Sequence, residues 1–267
     1  MGADIKNLRS RIKSVDSTLH LTKAMGLVAS SKIRRATEAM NKSSEYEKAI
    51  SEAVDMLTIC PECAKSPYLE NKGDEKLCLI VIAGDRGLAG GYNANVFRFV
   101  KDYSPSLIIP VGKRSYERFG GEFKGVESFS YDDAISLSKD LCRRFCDGEF
   151  DKIGIVYTKY ISIMSQEPRI KWVLPLEKNN ASQTHSILFE PDEMTILNSI
   201  VFEYVAALIV ASVRESFASE VAARRFAMDS AGKNAQQMLD ELHLKYNRAR
   251  QGAITQEITE IVAGSNS

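Results

Sequence analysis

The residues whose spacing most suggests chemistry are 83–93, AGDRGLAGGYN, which directly follow the apolar run LCLIVI at 77–82. A strand that leads into a glycine-rich turn and then a helix is a common phosphate-binding arrangement. These glycines fit neither G-x-G-x-x-G nor G-x-x-x-x-G-K-S/T, which are the two nucleotide-binding patterns. We therefore favour a turn that needs glycine for its backbone, with phosphate binding as the alternative. This interpretation leaves Asp85 and Arg86 as exposed charges that can contact a partner.

Five cysteines offer a second kind of chemistry. Cys60 and Cys63 enclose a Pro-Glu pair, and Cys142 and Cys146 lie four residues apart in a predicted helix. Two close thiol pairs could supply four thiolates to zinc, and a C-x-x-C pair could be redox-active. The second pair lacks the spacing of a zinc knuckle, and nothing in the sequence brings the two pairs together. We therefore favour reduced thiols, as is usual in the cytosol, and predict no metal site and no cofactor.

Catalytic side chains and nucleic-acid binding are not indicated either. The H-E-x-x-H pattern is absent, and His20 and His243 fall in long helical patterns. Lys plus Arg and Asp plus Glu both number 35, and this zero net charge argues against whole-chain affinity for nucleic acid or an anionic membrane. Trp172 is the single tryptophan, which leaves no aromatic platform for single-stranded nucleic acid. We predict no catalytic residue and no nucleic-acid partner.

The first sixty residues have the periodicity of one long helix. Apolar residues recur at alternating steps of three and four, which is a heptad pattern: Ile5, Leu8, Ile12, Val15 and Leu19. No proline occurs in residues 1–60, so a helix is predicted over about 4–57, roughly 80 Å long. Residues 1–35 contain eight basic and two acidic residues, a net charge of +6. The regular spacing favours a solvated face or a surface for an acidic partner over a nucleic-acid arm.

A second long helix is predicted at the other end of the chain. Pro191, Asp192 and Glu193 have the character of a first helical turn, and no proline follows them. The heptad steps continue towards the end, with a neighbouring isoleucine stripe: Leu239, Leu242, Tyr246, Ala249 and Ala253, then Ile254, Ile258 and Ile261. The apolar stretch 197–213 contains Glu203, which favours a helix buried in protein over a membrane span. A helix of about 70 residues is out of scale for an enzyme of this size and favours a coiled coil.

Between the two helices the pattern changes to short β-rich runs. Strands are predicted at 77–82, 106–111, 152–157 and 169–176, and helices at about 93–102, 112–119 and 131–147, joined to the ends by linkers at 71–75 and 177–184. This alternation indicates an α/β unit with a largely parallel sheet. The predicted fold is α+β with an α/β part: a long antiparallel coiled coil of N- and C-terminal helices (1–58 and 185–267) and an inserted Rossmann-like α/β domain (59–184).

Several motifs resemble the gamma subunit of F-type ATP synthases, and they extend over nearly the whole chain. The N-terminal motifs are IKSV at 12–15, TKAM at 22–25 and VASSK at 28–32. The loop DRGLAGGYN at 85–93 is similar to that family's loop after its first strand. The C-terminal motifs are SEVAAR at 219–224, AMD at 227–229 and the long, specific NRARQGAITQEITEIV at 247–262. The sequence ends Ala263-Gly264-Ser265-Asn266-Ser267, a departure from the family that affects only its tip.

The resemblance implies a rotating central stalk without catalytic residues of its own. In that family the paired terminal helices enter the hexamer of alpha and beta subunits, and the other end stands with the epsilon subunit on the membrane ion-translocating ring. One copy per complex would couple ion-driven rotation to ATP synthesis or hydrolysis, at the cytoplasmic face of a bacterial cell membrane. Two alternatives stay open on the residues alone: a nucleotide-dependent enzyme, and a coiled-coil scaffold unrelated to ATP synthesis.

The resemblance also implies which residues contact partners. Contacts with the catalytic subunits are expected from residues at both ends and in the loop: Arg9, Arg11, Lys13, Lys23, Met25, Arg86, Arg250, Gln251, Thr255, Glu257 and Glu260. Tyr204 is expected to contact the membrane ring. Small residues in the predicted helical seam, such as Gly26 and Ala29, would keep the paired helices slim.

Overall fold

The computed structural model describes residues 2–177 and 189–265 of the 267-residue chain. Along the sequence, a long helix at each end flanks four strands and three shorter helices. In chain order the elements are α1 (Gly2–Ile59), two 3₁₀ turns (Pro61–Lys65 and Pro67–Leu69), β1 (Leu77–Ile82), α2 (Tyr92–Val100), β2 (Leu107–Val111), α3 (Lys113–Phe119), α4 (Tyr131–Cys146), β3 (Lys152–Tyr160), β4 (Gln166–Leu174) and α5 (Glu193–Ser265).

The predicted elements are confirmed with small shifts at their ends. Helix α1 covers the predicted 4–57, and α5 covers almost all of the stretch that begins at the Pro191 signal. The three short helices and four strands also occur where the patterns placed them. Most of the predicted linker 177–184, and His185, lie outside the described residues. The division at residues 58 and 184 stays a prediction.

The chain forms two compact units, Met1–Ala29 with Arg224–Ser267, and Ser30–Ala223. The first is an antiparallel helix pair, because residue numbers fall on α5 as they rise on α1. Arg9 reaches Tyr246, the hydroxyl of Thr22 lies against Gly232, and Gly26 faces Met228. Leu19, at a predicted heptad position, is buried with Ala235 and Leu239. The predicted seam is therefore confirmed in this unit.

The second unit contains a four-stranded sheet in the order β2-β1-β3-β4. Strands β2, β1 and β3 are parallel, and β4 pairs antiparallel with β3 at the edge. Every residue of β1 is buried, as expected for a central parallel strand that is covered on both faces. Each outer strand contains a proline, Pro110 in β2 and Pro168 in β4.

Each face of the sheet has its own core. On one face, side chains such as Ile80 and Ile155 pack with α4 and with residues of α1 and α5 that include Leu57 and Leu197. On the other face, Leu79 and its neighbours pack against α2. The C-terminal end of α1 and the first half of α5 are therefore core elements of the α/β unit.

The apolar segment of α5 belongs to that core. Among the described residues, α5 meets the length and composition criteria for a membrane-crossing helix, with a mean hydropathy of 2.0 in its most apolar window. However, 56% of that window is buried inside the protein, and Val201, Val205 and Ile209 have no exposed surface. The segment is apolar because it packs against the sheet and its neighbouring helices.

Helix α5 also completes the hydrogen bonding of β3. Strand β1 ends at Ile82, whereas β3 continues to Tyr160. Beyond the end of β1, the backbone N–H groups of Thr158 and Tyr160 donate to the side chains of Ser216 and Glu215, at 3.1 Å each. Polar side chains of the helix thus take the place of the missing strand, and they fasten the sheet to α5.

Candidate partner-binding surfaces

The glycine-rich loop after β1 is held from inside by Asp85. Its carboxylate accepts hydrogen bonds from the backbone N–H groups of Lys113 at 3.0 Å and of Val126 and Glu127 at 3.1 Å. Asp85 is half-buried, so the prediction that it is an exposed charge ready for a partner is wrong. Its position just after β1 suits this role, because a carboxylate there can accept hydrogen bonds from the backbone N–H groups of neighbouring segments.

The same loop lacks the features of a phosphate site. The N–H of Gly84 donates to the side chain of Asn93 at 2.9 Å. A Cβ atom at Gly84 would lie 2.7 Å from the carboxyl carbon of Glu220, so glycine allows the buried Glu220 of α5 to pack against the loop. An anion here would meet two carboxylates, those of Asp85 and Glu220, and N–H groups already engaged. The geometry supports the structural interpretation of this glycine turn.

Arg86, in contrast, is exposed, with 69% of its side chain accessible. Its guanidinium lies 3.9 Å from the carboxylate of Glu127, which also accepts a 2.5 Å bond from Lys32 of α1. Glu127 therefore brings a loop arginine and a helix lysine into one surface. This surface lies within the second unit and is predominantly basic.

The predicted basic contacts on α1 are accessible. Arg9, Arg11, Lys13 and Lys23 are exposed, whereas Met25 is half-buried. Arg9 donates a 2.9 Å bond to the hydroxyl of Tyr246 on α5, and its guanidinium lies 5.8 Å from the centre of that ring. Arg9 therefore has a role within the helix pair that the sequence did not indicate.

The last turns of α5 present both polar and apolar side chains to solvent. The predicted contacts here are all exposed: Arg250, Gln251, Thr255, Glu257 and Glu260. Ile254, Ile258 and Ile261 are 45%, 56% and 65% exposed, so the predicted isoleucine stripe is uncovered. Large apolar side chains exposed in a row are typical of a surface that a partner covers.

Tyr204 is half-buried at the margin of the α/β core. Burial, followed by the carboxylates of Asp55, Glu47 and Glu177, raises the pKa of its hydroxyl to about 12. The ring thus packs within the second unit, in an acidic environment that includes residues of α1. Its predicted contact with a membrane ring stays a prediction.

The hairpin between β3 and β4 is an exposed apolar tip that sequence reasoning missed. Ile161, Ile163 and Met164 are 48%, 40% and 77% exposed. Ser162 orders this turn, because its hydroxyl accepts the N–H groups of Met164 and Ser165 at 3.2 and 3.1 Å. The available signal was the run YISIMS at 160–165, which places three large apolar residues in a turn.

The cysteines are thiols in very different surroundings. Cys63, Cys78 and Cys142 are buried, Cys60 is half-buried and Cys146 is exposed. In residues 2–177 and 189–265, no group of three or more His, Cys, Asp and Glu side chains has an arrangement that could hold a metal ion. A four-thiolate zinc site therefore has no support in the described part of the chain.

Solved structures with this fold include chains of mitochondrial ATP synthases. The chain superimposes on one chain of a Euglena gracilis ATP synthase, described as OSCP/F1/c-ring, with a TM-score of 0.71 and 18% identity, covering 100% of this chain and 95% of that one. A chain of the Tetrahymena thermophila central stalk and c-ring has a TM-score of 0.63 and 20% identity, covering 79% and 99%. At these identities the likeness establishes the fold, a long helix pair with an inserted sheet.

Sequence relatives extend the match over the full length. A family model described as ATP synthase matches residues 4–267. The ATP synthase gamma chain of Ruminococcus albus is 38% identical over 98% of both chains. The sodium-ion-specific gamma chain of Acetobacterium woodii is 33% identical over 100% of this chain and 99% of its own. With this identity over nearly every residue, the chain belongs to the family of ATP synthase gamma chains.

Proposed function

We propose that this chain is the rotating central stalk of a membrane ATP synthase and couples ion-driven rotation to ATP synthesis or hydrolysis. The observation that carries the proposal is the antiparallel pair of terminal helices in the first unit, with its exposed polar and apolar end. Family membership and the likeness to a central-stalk structure support the same function.

The exposed end of α5 suits a shaft that turns inside a sleeve. The side chains of Arg250, Glu257 and Glu260 offer ionic contacts that form at one angle and break at the next. A pair of opposite charges about 4 Å apart is worth on the order of 1–4 kcal/mol, which biases an angle without locking it. Ile258 and its neighbours offer sliding apolar contacts that have no directional preference.

The proposed partners follow from this arrangement. The N-terminal end of α1 and the C-terminal end of α5 contact the alpha and beta subunits. The same subunits are contacted by Arg9, Arg11, Lys13, Lys23, Met25 and Arg86. The α/β unit contacts the epsilon subunit and the membrane ring, where we place Tyr204. One copy acts per complex, peripheral to the cytoplasmic face of a bacterial cell membrane. The chain has no catalytic residue of its own, and bond chemistry takes place in the hexamer.

Rotation of the assembled complex tests the proposal directly. The chain is combined with alpha and beta subunits of a close relative, and a bead is attached to the exposed Cys146 in a Cys60→Ser background. We expect ATP to drive rotation of the bead in one direction, and excess ADP to slow it. A complex that hydrolyses ATP while the bead stays still, or a chain that fails to assemble, would overturn the proposal.

Calorimetry on the isolated chain separates this function from a nucleotide-dependent enzyme. Because Asp85 and Asn93 already engage N–H groups at the glycine turn, we expect no heat of binding with ATP or ADP. Binding at micromolar affinity would instead favour an enzymatic role for the α/β unit.

A further inference from the structure

The two cysteines that follow α1 stand at the ends of one tight turn. The helix ends at Ile59, and Cys60 is extended, with φ −66° and ψ 127°. The N–H of Cys63 donates to the carbonyl of Cys60 at 3.0 Å, which closes a four-residue turn. The Cα atoms at the ends of such a turn lie within about 7 Å, and disulfides span Cα distances of about 4.4–6.8 Å. The backbone therefore already has the separation that a disulfide requires.

The side chain of Cys60 lies beside the apolar cluster that contains Cys63. Cys60 immediately precedes the 3₁₀ turn, and Cys63 is the third residue of that turn. The Cys60 thiol makes no bond to the turn itself, and instead lies 3.6 Å from the carbonyl of Met56. A thiol is a weak donor, so this contact is easily exchanged for another partner.

The thiols of Cys60 and Cys63 differ in their exposure to solvent. Cys60 is half-buried, whereas Cys63 has no exposed surface and packs in the α/β core. A soluble oxidant can therefore reach only Cys60. The buried Cys63 can resolve the product from inside, without meeting the oxidant.

The other close pair lacks this geometry and serves as an internal control. Cys142 and Cys146 are separated by four residues within the regular helix α4. Residues so spaced on a helix have Cβ atoms about 5–6 Å apart, whereas a disulfide needs about 3.5–4.5 Å. Helix α4 would have to unwind before these two sulfurs could bond.

We propose that Cys60 and Cys63 form a reversible disulfide by exchange with a low-molecular-weight disulfide. The Cys60 thiolate attacks one sulfur of the oxidant RSSR, forms a mixed disulfide and releases RS⁻, which takes up the proton lost by Cys60. The sulfur of Cys63 then attacks the sulfur of Cys60 and releases the second RSH. The two cysteines are oxidised by two electrons together, and RSSR is reduced to two RSH.

Burial and neighbouring charges together determine how fast this disulfide forms. Burial, Glu193 and Glu62 raise the pKa of Cys60, and burial, Cys60, Glu193, Glu62 and Asp192 raise the pKa of Cys63 to about 11. Little thiolate exists at neutral pH, so the pair is slow to oxidise, unlike a catalytic C-x-x-C. Below these pKa values the thiolate fraction grows about tenfold per pH unit, and the rate of oxidation rises with it.

Thiol titration of the full-length chain tests the proposal. The reduced protein is incubated with excess oxidised glutathione at pH 8.5, and thiols are counted after denaturation, with peptide mass mapping of the products. We expect the five thiols to fall to two, with one internal disulfide that joins Cys60 to Cys63 and one glutathione on the exposed Cys146, both of which dithiothreitol reverses. The Cys142→Ser/Cys146→Ser variant should form the same bond at the same rate.

Two variants locate the resolving step. Cys63→Ser should stop at the mixed disulfide and retain one glutathione on Cys60, whereas Cys60→Ser should lose no thiol from Cys63. The mapping on the unaltered chain does not depend on whether Cys63→Ser folds. A stable glutathione adduct on Cys60 of the unaltered chain, or an internal disulfide that uses Cys78, Cys142 or Cys146, would overturn the proposal.

Discussion

The hydroxyl of Ser219 on α5 donates a 3.0 Å hydrogen bond to the backbone carbonyl of Thr158 in β3. Ser216, one turn earlier, accepts the N–H of the same residue, and both serines are fully buried. A single strand residue thus has both its backbone polar groups satisfied by one helix. In the proposed stalk, these two hydrogen bonds attach the sheet to α5, so that the sheet rotates together with the helix.

Ser219→Ala is expected to lower the free energy of unfolding by about 1–3 kcal/mol, because it leaves a buried carbonyl without that donor. Urea unfolding of the isolated chain measures the loss. The matched control is Ser199→Ala, an exposed serine of the same helix that bonds only to its own turn at Ile196. Its effect should stay within about 0.5 kcal/mol. Equal losses in the two variants would contradict an anchoring role for Ser219.

Gly112→Ala is expected to prevent stable folding of the α/β unit. Gly112 has φ +94°, and an added Cβ would overlap the carbonyl oxygen of Ala83 and lie 2.7 Å from the side chain of Val126. Gly73→Ala is the control, because Gly73 has φ +106° but nothing within 4 Å of the added atom. Gly73→Ala should cost only its backbone strain, on the order of 1–3 kcal/mol. Circular dichroism during heating should separate the two variants clearly.

The capping box of α4 predicts an acid-dependent loss of stability. Hydrogen bonds from the hydroxyl and backbone of Ser130, and then from Lys124, lower the pKa of Asp133 to about 2 from its ordinary 3.8. A depressed pKa stabilises the fold above the unfolded value, and the benefit is lost as pH falls from about 4 to about 2. The stability difference between the unaltered chain and Asp133→Asn should be constant above pH 5 and shrink over that range.

Denaturant unfolding at several pH values checks this dependence. Asp132→Asn, which removes an exposed acid from the same helical turn, controls for net charge. A difference between Asp133→Asn and the unaltered chain that stays the same down to pH 2 would exclude the capping carboxylate as its cause.

Arg9→Ala is expected to weaken coupling between rotation and ATP chemistry more than Tyr246→Phe does. Both variants remove the exposed bond between these side chains, so the stability of the isolated chain should change by less than about 1 kcal/mol in each. Only Arg9→Ala also removes the charge proposed to face the catalytic subunits. ATP-driven ion pumping per ATP hydrolysed, in membranes that contain the complex, measures coupling. Equal coupling in the two variants would show that Arg9 acts only within the helix pair.

Ile258→Glu is expected to impair assembly with alpha and beta subunits without unfolding the free chain. Ile258 is 56% exposed, so a charge there costs the isolated helix little, but it would be buried in the proposed sleeve. Met164→Glu at the β3–β4 hairpin is the matched apolar-to-acid control, at a residue 77% exposed. Recovery of complex on gel filtration should fall for Ile258→Glu and not for the control. If recovery falls for Met164→Glu and not for Ile258→Glu, the principal contact with the partner subunits lies at the hairpin.

The long helices and the sheet were predictable because each follows from a local pattern. Heptad steps around Leu19 and Leu239 and the absence of proline define α1 and α5, and continuous apolar runs define buried parallel strands. The role of Asp85 was not predictable, since its three donors are the first residue of α3 and two loop residues, up to 42 residues away. The burial of Glu220 in a helix otherwise rich in charges is a tertiary effect of the same kind.

Pro110 and Pro168 have a consequence for the chain before it meets its partners. They lie in the two outermost strands, where each lacks the N–H that an incoming strand from another copy would use. Newly made copies are thus hindered from joining sheet to sheet into aggregates. The unassembled subunit therefore remains available for assembly with its partners.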